Sequence, residues 1–287
     1  MKISCSLYSF GSYVNPDKLG VLGCMDFAKE LGFDGVEILD RYIMDGITVD
    51  MVRDHSEKIG LPIVAYITYA DFLKYRGTAT REEIERVKGL VDDAARIGAP
   101  KMRHDVTCGL ETELKHGISF DALLPRIADA VREVTEYAAE RGVMTMFENH
   151  GHFVQDADRC EKLLEAVAHP NFGLLMDIGN FMCVDEKSTE SVGKLARYAI
   201  HVHGKDFFFR SGTEDDPGEG WFMTRGGNYL RGTIVGHGVV NVPQCLKLLN
   251  RAGYDDYVSI EFEGMDDTLR GISVGLENMK KFVGRLQ

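Results

Sequence analysis

The chain has 287 residues, 44% of them hydrophobic and 27% charged, an ordinary globular composition. No apolar run approaches the roughly 20 residues of a membrane span, and the opening MKISCSLYSFGSY lacks the apolar segment of a signal peptide. The formal net charge of −12, with no local basic stripe, argues against a nucleic-acid ligand.

The six cysteines (Cys5, Cys24, Cys108, Cys160, Cys183 and Cys245) are scattered without a CxxC pair, so they are expected to be reduced thiols in a cytoplasmic protein. An opening strand is expected over Lys2–Tyr8. After it, one pattern recurs: a polar-faced helix ends in glycine and a short apolar strand follows. It occurs at 28–39, 56–68, 94–106, 138–150 and 250–264, with two copies lacking the glycine at 166–180 and 195–206. Gly32, Gly60, Gly98, Gly142 and Gly253 are the expected helix C-caps, where a left-handed φ costs glycine nothing. Asn15-Pro16 and the box Thr80-Arg-Glu-Glu83 are expected helix starts, and Ser119 is expected to cap the long helix running to Arg141.

Eight strands alternating with helices imply parallel pairing through right-handed crossovers. In under 300 residues this predicts a single (β/α)8 TIM barrel over residues 1–287, with no linker or low-complexity segment. An open doubly wound sheet is the alternative, but no GxGxxG follows the first strand. Phe207–Val240 is out of scale for a connection and holds the only tryptophan, Trp221. It is expected either to cover the substrate or to form a surface excursion or oligomer contact.

Such barrels place their chemistry at the C-terminal strand ends. The strand over 143–151, VMTMFENHG, is apolar on both faces until Glu148; a buried charge there needs a metal, a partner or a role in catalysis. Strand six ends at Asp177. Strand seven sets His201, His203 and Lys205 on one face. Strand eight sets Glu261 inward, with Val258, Ile260 and Phe262 on the other face. Two glutamates, an aspartate and a histidine from four consecutive strands form a hard, oxygen-rich donor set, suited to Mn²⁺, Mg²⁺ or Co²⁺ and compatible with Zn²⁺.

These motifs, GFDGVEI, FENHG, LLMDIGN, HVHGKD and the stretch from GHGVVNVPQC to SIEFEG, resemble the sugar phosphate isomerase/epimerase superfamily of xylose isomerase-like barrels, over essentially the whole chain. The resemblance implies that Glu148, Asp177, His203 and Glu261 bind one divalent metal, with manganese the first expectation. It also implies that Glu148 and Glu261 act as an acid/base pair on opposite faces of a sugar. The implied activity is isomerisation or epimerisation of a monosaccharide or keto-sugar through an enediolate. A lyase, like inosose dehydratase or a C-glycoside deglycosidase catalytic subunit, is the alternative. The same barrel in apurinic-site endonucleases implies more metal ligands and a basic groove, which this sequence lacks. A non-catalytic sugar-binding role is the third class of reading. The resemblance further implies a dimer or tetramer and leaves a separate partner subunit open. Asn180 and Phe209 stand where ketose 3-epimerases carry histidine and arginine, so that activity is not singled out.

Further candidates are His150, as an acid/base or a loop cap; Lys205, for a substrate oxygen or phosphate; and Glu37, for sugar hydroxyls or as a buried ion-pair partner. His104, Asn180, Arg210 and Trp221 complete the expected substrate-binding set. His201 is expected to fill a barrel layer.

Overall fold

The computed structural model describes residues 1–44, 46–73, 78–107 and 119–286; Cys108 lies outside them. The strands β1 (Lys2–Ser6), β2 (Gly35–Leu39), β3 (Ile63–Ile67), β4 (Lys101–Arg103), β5 (Met144–Glu148), β6 (Phe172–Asp177), β7 (Ala199–Gly204) and β11 (Tyr257–Ile260) form a closed parallel barrel. β1 pairs with both β2 and β11, which seals it. Around it lie helices α1 (Gly20–Leu31), α2 (Val49–Ile59), α3 (Thr78–Ile97), α4 (Phe120–Ala139), α5 (Ala157–Val167), α6 (Ser188–Leu195), α7 (Val242–Arg251) and α8 (Thr268–Gly284). The expected (β/α)8 barrel is therefore the observed one. No helix among the described residues is long and apolar enough to cross a membrane.

Strand alternation divides the sheet as the sequence requires. Phe147, Ile260 and Val258 are fully buried beneath the helices, while the opposite faces carry polar side chains into the barrel. That interior is a polar column rather than the usual aliphatic filling. Lys101 bonds the Ile200 carbonyl (2.7 Å) and pairs with Asp256 near the barrel floor. Above it Ser4 and Ser259 share a hydrogen bond (2.5 Å), and His201 reaches Ser259 (3.1 Å). Lys101, Ser4, Ser259 and the Nε2 of His201 each have a partner, which offsets their desolvation.

Several local expectations are corrected. Gly32 and Gly60 do close α1 and α2 at left-handed φ of 83° and 62°, and Ser119 accepts from the Ala122 amide. Gly142 and Gly253, also left-handed, lie just past the caps Glu140 and Ala252. Asn15-Pro16 starts no helix: it forms a turn after the 3-10 segment Leu7–Val14, and α1 begins at Gly20. Thr80 lies inside α3 rather than before it, and its hydroxyl donates to the Phe72 carbonyl (3.0 Å). The segment after β7 is not an irregular loop. β8 (Asp206–Arg210), β9 (Phe222–Met223) and β10 (Tyr229–Thr233) make an antiparallel sheet beside the barrel, in the order β8-β10-β9. Asp206 fixes its root by accepting from the amides of Phe207, Gly236, Gly238 and Val240.

Candidate active site

Glu148 closes β5, Asp177 closes β6, His203 sits one residue from the end of β7, and Glu261 follows β11. Their ligand atoms lie within 4.8 Å of one another, all buried. The site opens into a cavity of about 400 Å³ at the C-terminal mouth of the barrel. Its polar side includes Arg103, Asp105, Glu148, His150, Asn180, Lys205 and Glu261. Leu39, Ile67, Tyr69, Phe207 and Phe222 make an apolar wall. The antiparallel sheet supplies the last of these aromatics.

The four side chains fit a divalent cation on the structure's own terms. Asp177 Oδ2 and His203 Nδ1 are buried with no hydrogen-bond partner. They face each other at 3.9 Å, with Glu261 Oε2 at 3.6 Å and Glu148 Oε1 at 3.7 Å from the same nitrogen. Two buried atoms that can each offer a lone pair, at this spacing, are what a shared cation would satisfy. Arg103 and Lys205 also reach the three carboxylates, at 2.8 Å from Glu148 and at 3.3 and 2.5 Å from Asp177 and Glu261.

Neighbouring groups divide the carboxylates by charge state. Burial would raise Glu148, but the Arg103 guanidinium overrides it and holds the carboxyl well below the usual range. Burial likewise opposes ionisation of Glu261, and Lys205 at 2.5 Å brings it down to about 2. Asp177 is the exception. Burial dominates and, with the repulsion of Glu148 and Glu261, lifts it to about 6 against the pull of Lys205. Lys205 itself is lifted well above its ordinary value by Glu261 and Asp177, against its burial. It stays an ammonium.

The other expected residues separate into three groups. Asn180 and Lys205 line the cavity, and Asn180 donates to Glu148 Oε1 (2.9 Å). His150 stands at the mouth with its side chain about half exposed, Nδ1 3.4 Å from Asp105. Glu37 and His104 do not line the cavity: Glu37 lies beneath His203, and His104 packs between Phe72 and Phe172 on the helix side of β4. Arg210 pairs with Glu214 (2.8 Å), and Trp221 stacks under Arg231; neither reaches the cavity wall. None of His104, Glu37, Arg210 and Trp221, expected in the substrate-binding set, lines this cavity, and Glu37 takes the alternative place of a buried ion-pair partner. For His104 the cause is strand alternation. Lys101, Arg103 and Asp105 share the inward face of β4, so Met102 and His104 must face outward.

Arg103 and Asp105 are the residues the sequence reading missed. Arg103 contacts Glu148 Oε2 (2.8 Å), Asp105 (2.9 Å) and the Thr68 carbonyl (3.0 Å). A run of charges at alternate positions in a buried strand was the available signal, because such charges need an interior partner.

The chain belongs to the family of xylose isomerase-like TIM barrels, whose model matches residues 25–282. Among curated relatives, the inosose isomerase of Halalkalibacterium halodurans is 25% identical over 250 residues, spanning 83% of this chain and 80% of its own. An inosose dehydratase of Geobacillus thermodenitrificans is 24% identical over 250 residues, with 84% and 81% covered. Among solved structures, the IOLI protein with a bound zinc atom superposes with a TM-score of 0.77 at 19% identity, covering 100% of this chain and 99% of its own.

Proposed function

We propose that this chain is a divalent-metal-dependent enzyme that moves protons beside the carbonyl of a monosaccharide or keto-sugar, an isomerase or epimerase first. The observation that carries this reading is the convergence of Glu148, Asp177, His203 and Glu261 at the cavity floor with two of their atoms orphaned. The names of the curated relatives, inosose isomerase and inosose dehydratase, fit a cyclic polyol-ketone as substrate. A single-domain barrel over 1–287 belongs to the same reading. The donor set favours Mn²⁺, with Mg²⁺, Co²⁺ and Zn²⁺ as substitutes.

A divalent cation held by these four residues would act as a Lewis acid on a hydroxy-ketone, making the adjacent C–H more acidic. The residues supply the rest. Glu148 and Glu261 are ionised at neutral pH and come from β5 and the end of β11, so either is available to accept a proton from carbon. If the other carboxylate has first taken up a proton from solvent, its delivery to the opposite face inverts the carbon, and the first carboxylate loses its proton to solvent; return by the same carboxylate, to the neighbouring carbon, isomerises. Asn180 holds Glu148, and Lys205 holds a positive charge beside Glu261 where negative charge develops on substrate oxygens. Leu39, Ile67, Tyr69 and Phe222 give one flank an apolar wall against which the carbon framework of a substrate can rest.

A lyase is the second reading, favoured by His150. Burial lowers its proton affinity, but Asp105 overrides this and raises it, leaving a proton carrier that is not one of the four ligands. Such a group can protonate a departing hydroxyl or glycosidic oxygen after proton loss from carbon. The test is proton NMR in D₂O of Mg²⁺-loaded protein with a panel of inososes, ketoses and 3-keto-glycosides. Deuterium beside the carbonyl with a new epimer or isomer supports the first reading, and loss of water or aglycone the second. No exchange in any substrate, from protein shown to hold its metal, counts against both.

A further inference from the structure

Glu37 lies outside the cavity and is fully buried on β2, yet it carries a carboxylate. Its contacts are with two imidazoles from β7. Oε1 lies 2.5 Å from His201 Nε2 and 3.1 Å from His203 Nε2; Oε2 lies 3.0 Å from His203 Nε2. A carboxylate only accepts, so each Nε2 bears its hydrogen towards Glu37. This leaves Nδ1 as the lone-pair atom of His203. That is the nitrogen found buried, unpartnered and 3.6–3.9 Å from the three ligand carboxylates.

We infer that Glu37 is a positioning residue that fixes the tautomer and ring orientation of His203, so that Nδ1 is the atom presented to the cation. This rests on the metal-site reading above. A metal-bound imidazole whose second N–H meets a carboxylate is held in register and made a better donor. The backbone is shaped for the contact. The barrel pairings carry register shifts at Val36/Glu37, where β2 meets β3, and at Leu174/Leu175, where β6 meets β7 beside His201. Irregularities of this kind re-aim side chains, and these two flank the strands that bring Glu37 and the imidazoles together.

The same three residues also have ligand atoms close enough to suggest a second metal. The geometry points away from one. Two donors on one tetrahedral cation sit roughly 3 Å or more apart, whereas Glu37 and His201 are at hydrogen-bond length, 2.5 Å. His203 would also have to bridge two cations through both nitrogens.

The experiment is a Co²⁺ and Zn²⁺ titration of the wild-type chain and Glu37→Gln, with no substrate present, read by cobalt absorbance and chelator competition. It is joined to ¹⁵N NMR of the histidine rings in Zn²⁺-loaded wild type. A glutamine turns an N–H donor towards His203 Nε2 and favours the wrong tautomer. The expected result is one equivalent of metal in wild type, zinc on His203 Nδ1 with hydrogen on Nε2, and about 10–100-fold weaker binding in Glu37→Gln. Equal affinity in the two proteins, zinc on Nε2, or two equivalents per wild-type chain overturns the inference while leaving the metal site intact. Absence of metal binding in wild type overturns the metal site itself. The ring spectrum needs no variant, so a Glu37→Gln protein that fails to fold does not remove the test.

Discussion

Arg103 Nη2 lies 2.8 Å from Glu148 Oε2, and Asn180 Nδ2 donates to Oε1 of the same carboxylate at 2.9 Å. The carboxylate is thus held from both ends, and Oε1 keeps a lone pair for the site. Arg103 is nearly fully buried and also balances Asp105 (2.9 Å). Replacing it with methionine keeps the stem but leaves two buried carboxylates without their cation. Removing one partner of a buried pair costs about 3–5 kcal/mol. Arg103→Met should therefore lower stability by that order in metal-free protein, read by urea unfolding. Saturating Mn²⁺ should restore part of the loss, because a cation again neutralises Glu148. A wild-type unfolding midpoint for metal-free Arg103→Met would remove Arg103 from this role.

Metal affinity should fall with acid, and the sign follows from Asp177 and His203. Asp177 is raised to about 6, chiefly by burial, and His203 is raised well above its ordinary value because Glu37 and Glu261 outweigh burial. A proton on Asp177 or on His203 Nδ1 occupies the spot a cation would take, so binding releases protons and strengthens as pH rises. From Asp177 alone, Zn²⁺ affinity at pH 5 should be about tenfold below that at pH 7.5. Calorimetry in two buffers of different ionisation enthalpy counts the released protons. A pH-independent affinity with no proton release would contradict this ligand set.

His104 predicts a separate pH effect, on folding. Burial drives its pKa down to about 4, and Nε2 has no partner. The folded state therefore holds it neutral, while the unfolded chain takes up a proton near pH 6.5. The stabilising contribution is complete above the unfolded value and is lost as pH falls from about 6.5 towards 4. At pH 5 the loss is roughly 2 kcal/mol. His104→Leu should flatten this part of the stability profile, measured by urea unfolding between pH 7.5 and 5. Identical slopes in both proteins would mean that His104 is solvated in the folded state.

The clustering of Glu148, Asp177, His203 and Glu261 at one end of the barrel was legible because apolar residues on the outer face of each strand, among them Phe147, Met176, Val202 and Ile260, set the alternation. Phe147 or Ile260 fixes the helix face, and alternation then sends Glu148 and Glu261 inward. β4 offered no such anchor: Lys101, Arg103, His104 and Asp105 are all polar, and only Met102 marks the outer face. Taking His104 as the substrate-side residue of that strand left Arg103 unconsidered. Glu37 was visible as an inward glutamate, but its depth depends on the register shift beside it, which no local pattern announces. The β8–β10 sheet escaped because β8 and β9 are joined by a long glycine-containing stretch, and its turns are held by two carboxylates, Asp206 at the start of β8 and Asp185 outside the sheet.

Asp185 leads to the last prediction. It follows the 3-10 segment Asn180–Val184 at a left-handed φ of 61°. Its carboxylate accepts from the Thr224 hydroxyl (2.6 Å), the Asn228 amide (2.7 Å) and the Gly226 backbone N–H. These bonds pin the turn between β9 and β10, and β9 carries Phe222 onto the cavity wall. Asp185→Ala removes all three. At about 1 kcal/mol each, their loss is enough to depopulate the seated turn by more than tenfold. Glu148, Asp177, His203 and Glu261 lie on or directly after barrel strands and stay in place. The expected outcome is a rise in KM of roughly tenfold for the substrate found by deuterium exchange, with kcat changed less. Faster tryptic cleavage after Arg225 and a shift in the emission of Trp221, the only tryptophan, should accompany it. If the cleavage and emission change while KM does not, the turn is anchored by Asp185 but Phe222 contributes nothing to substrate binding.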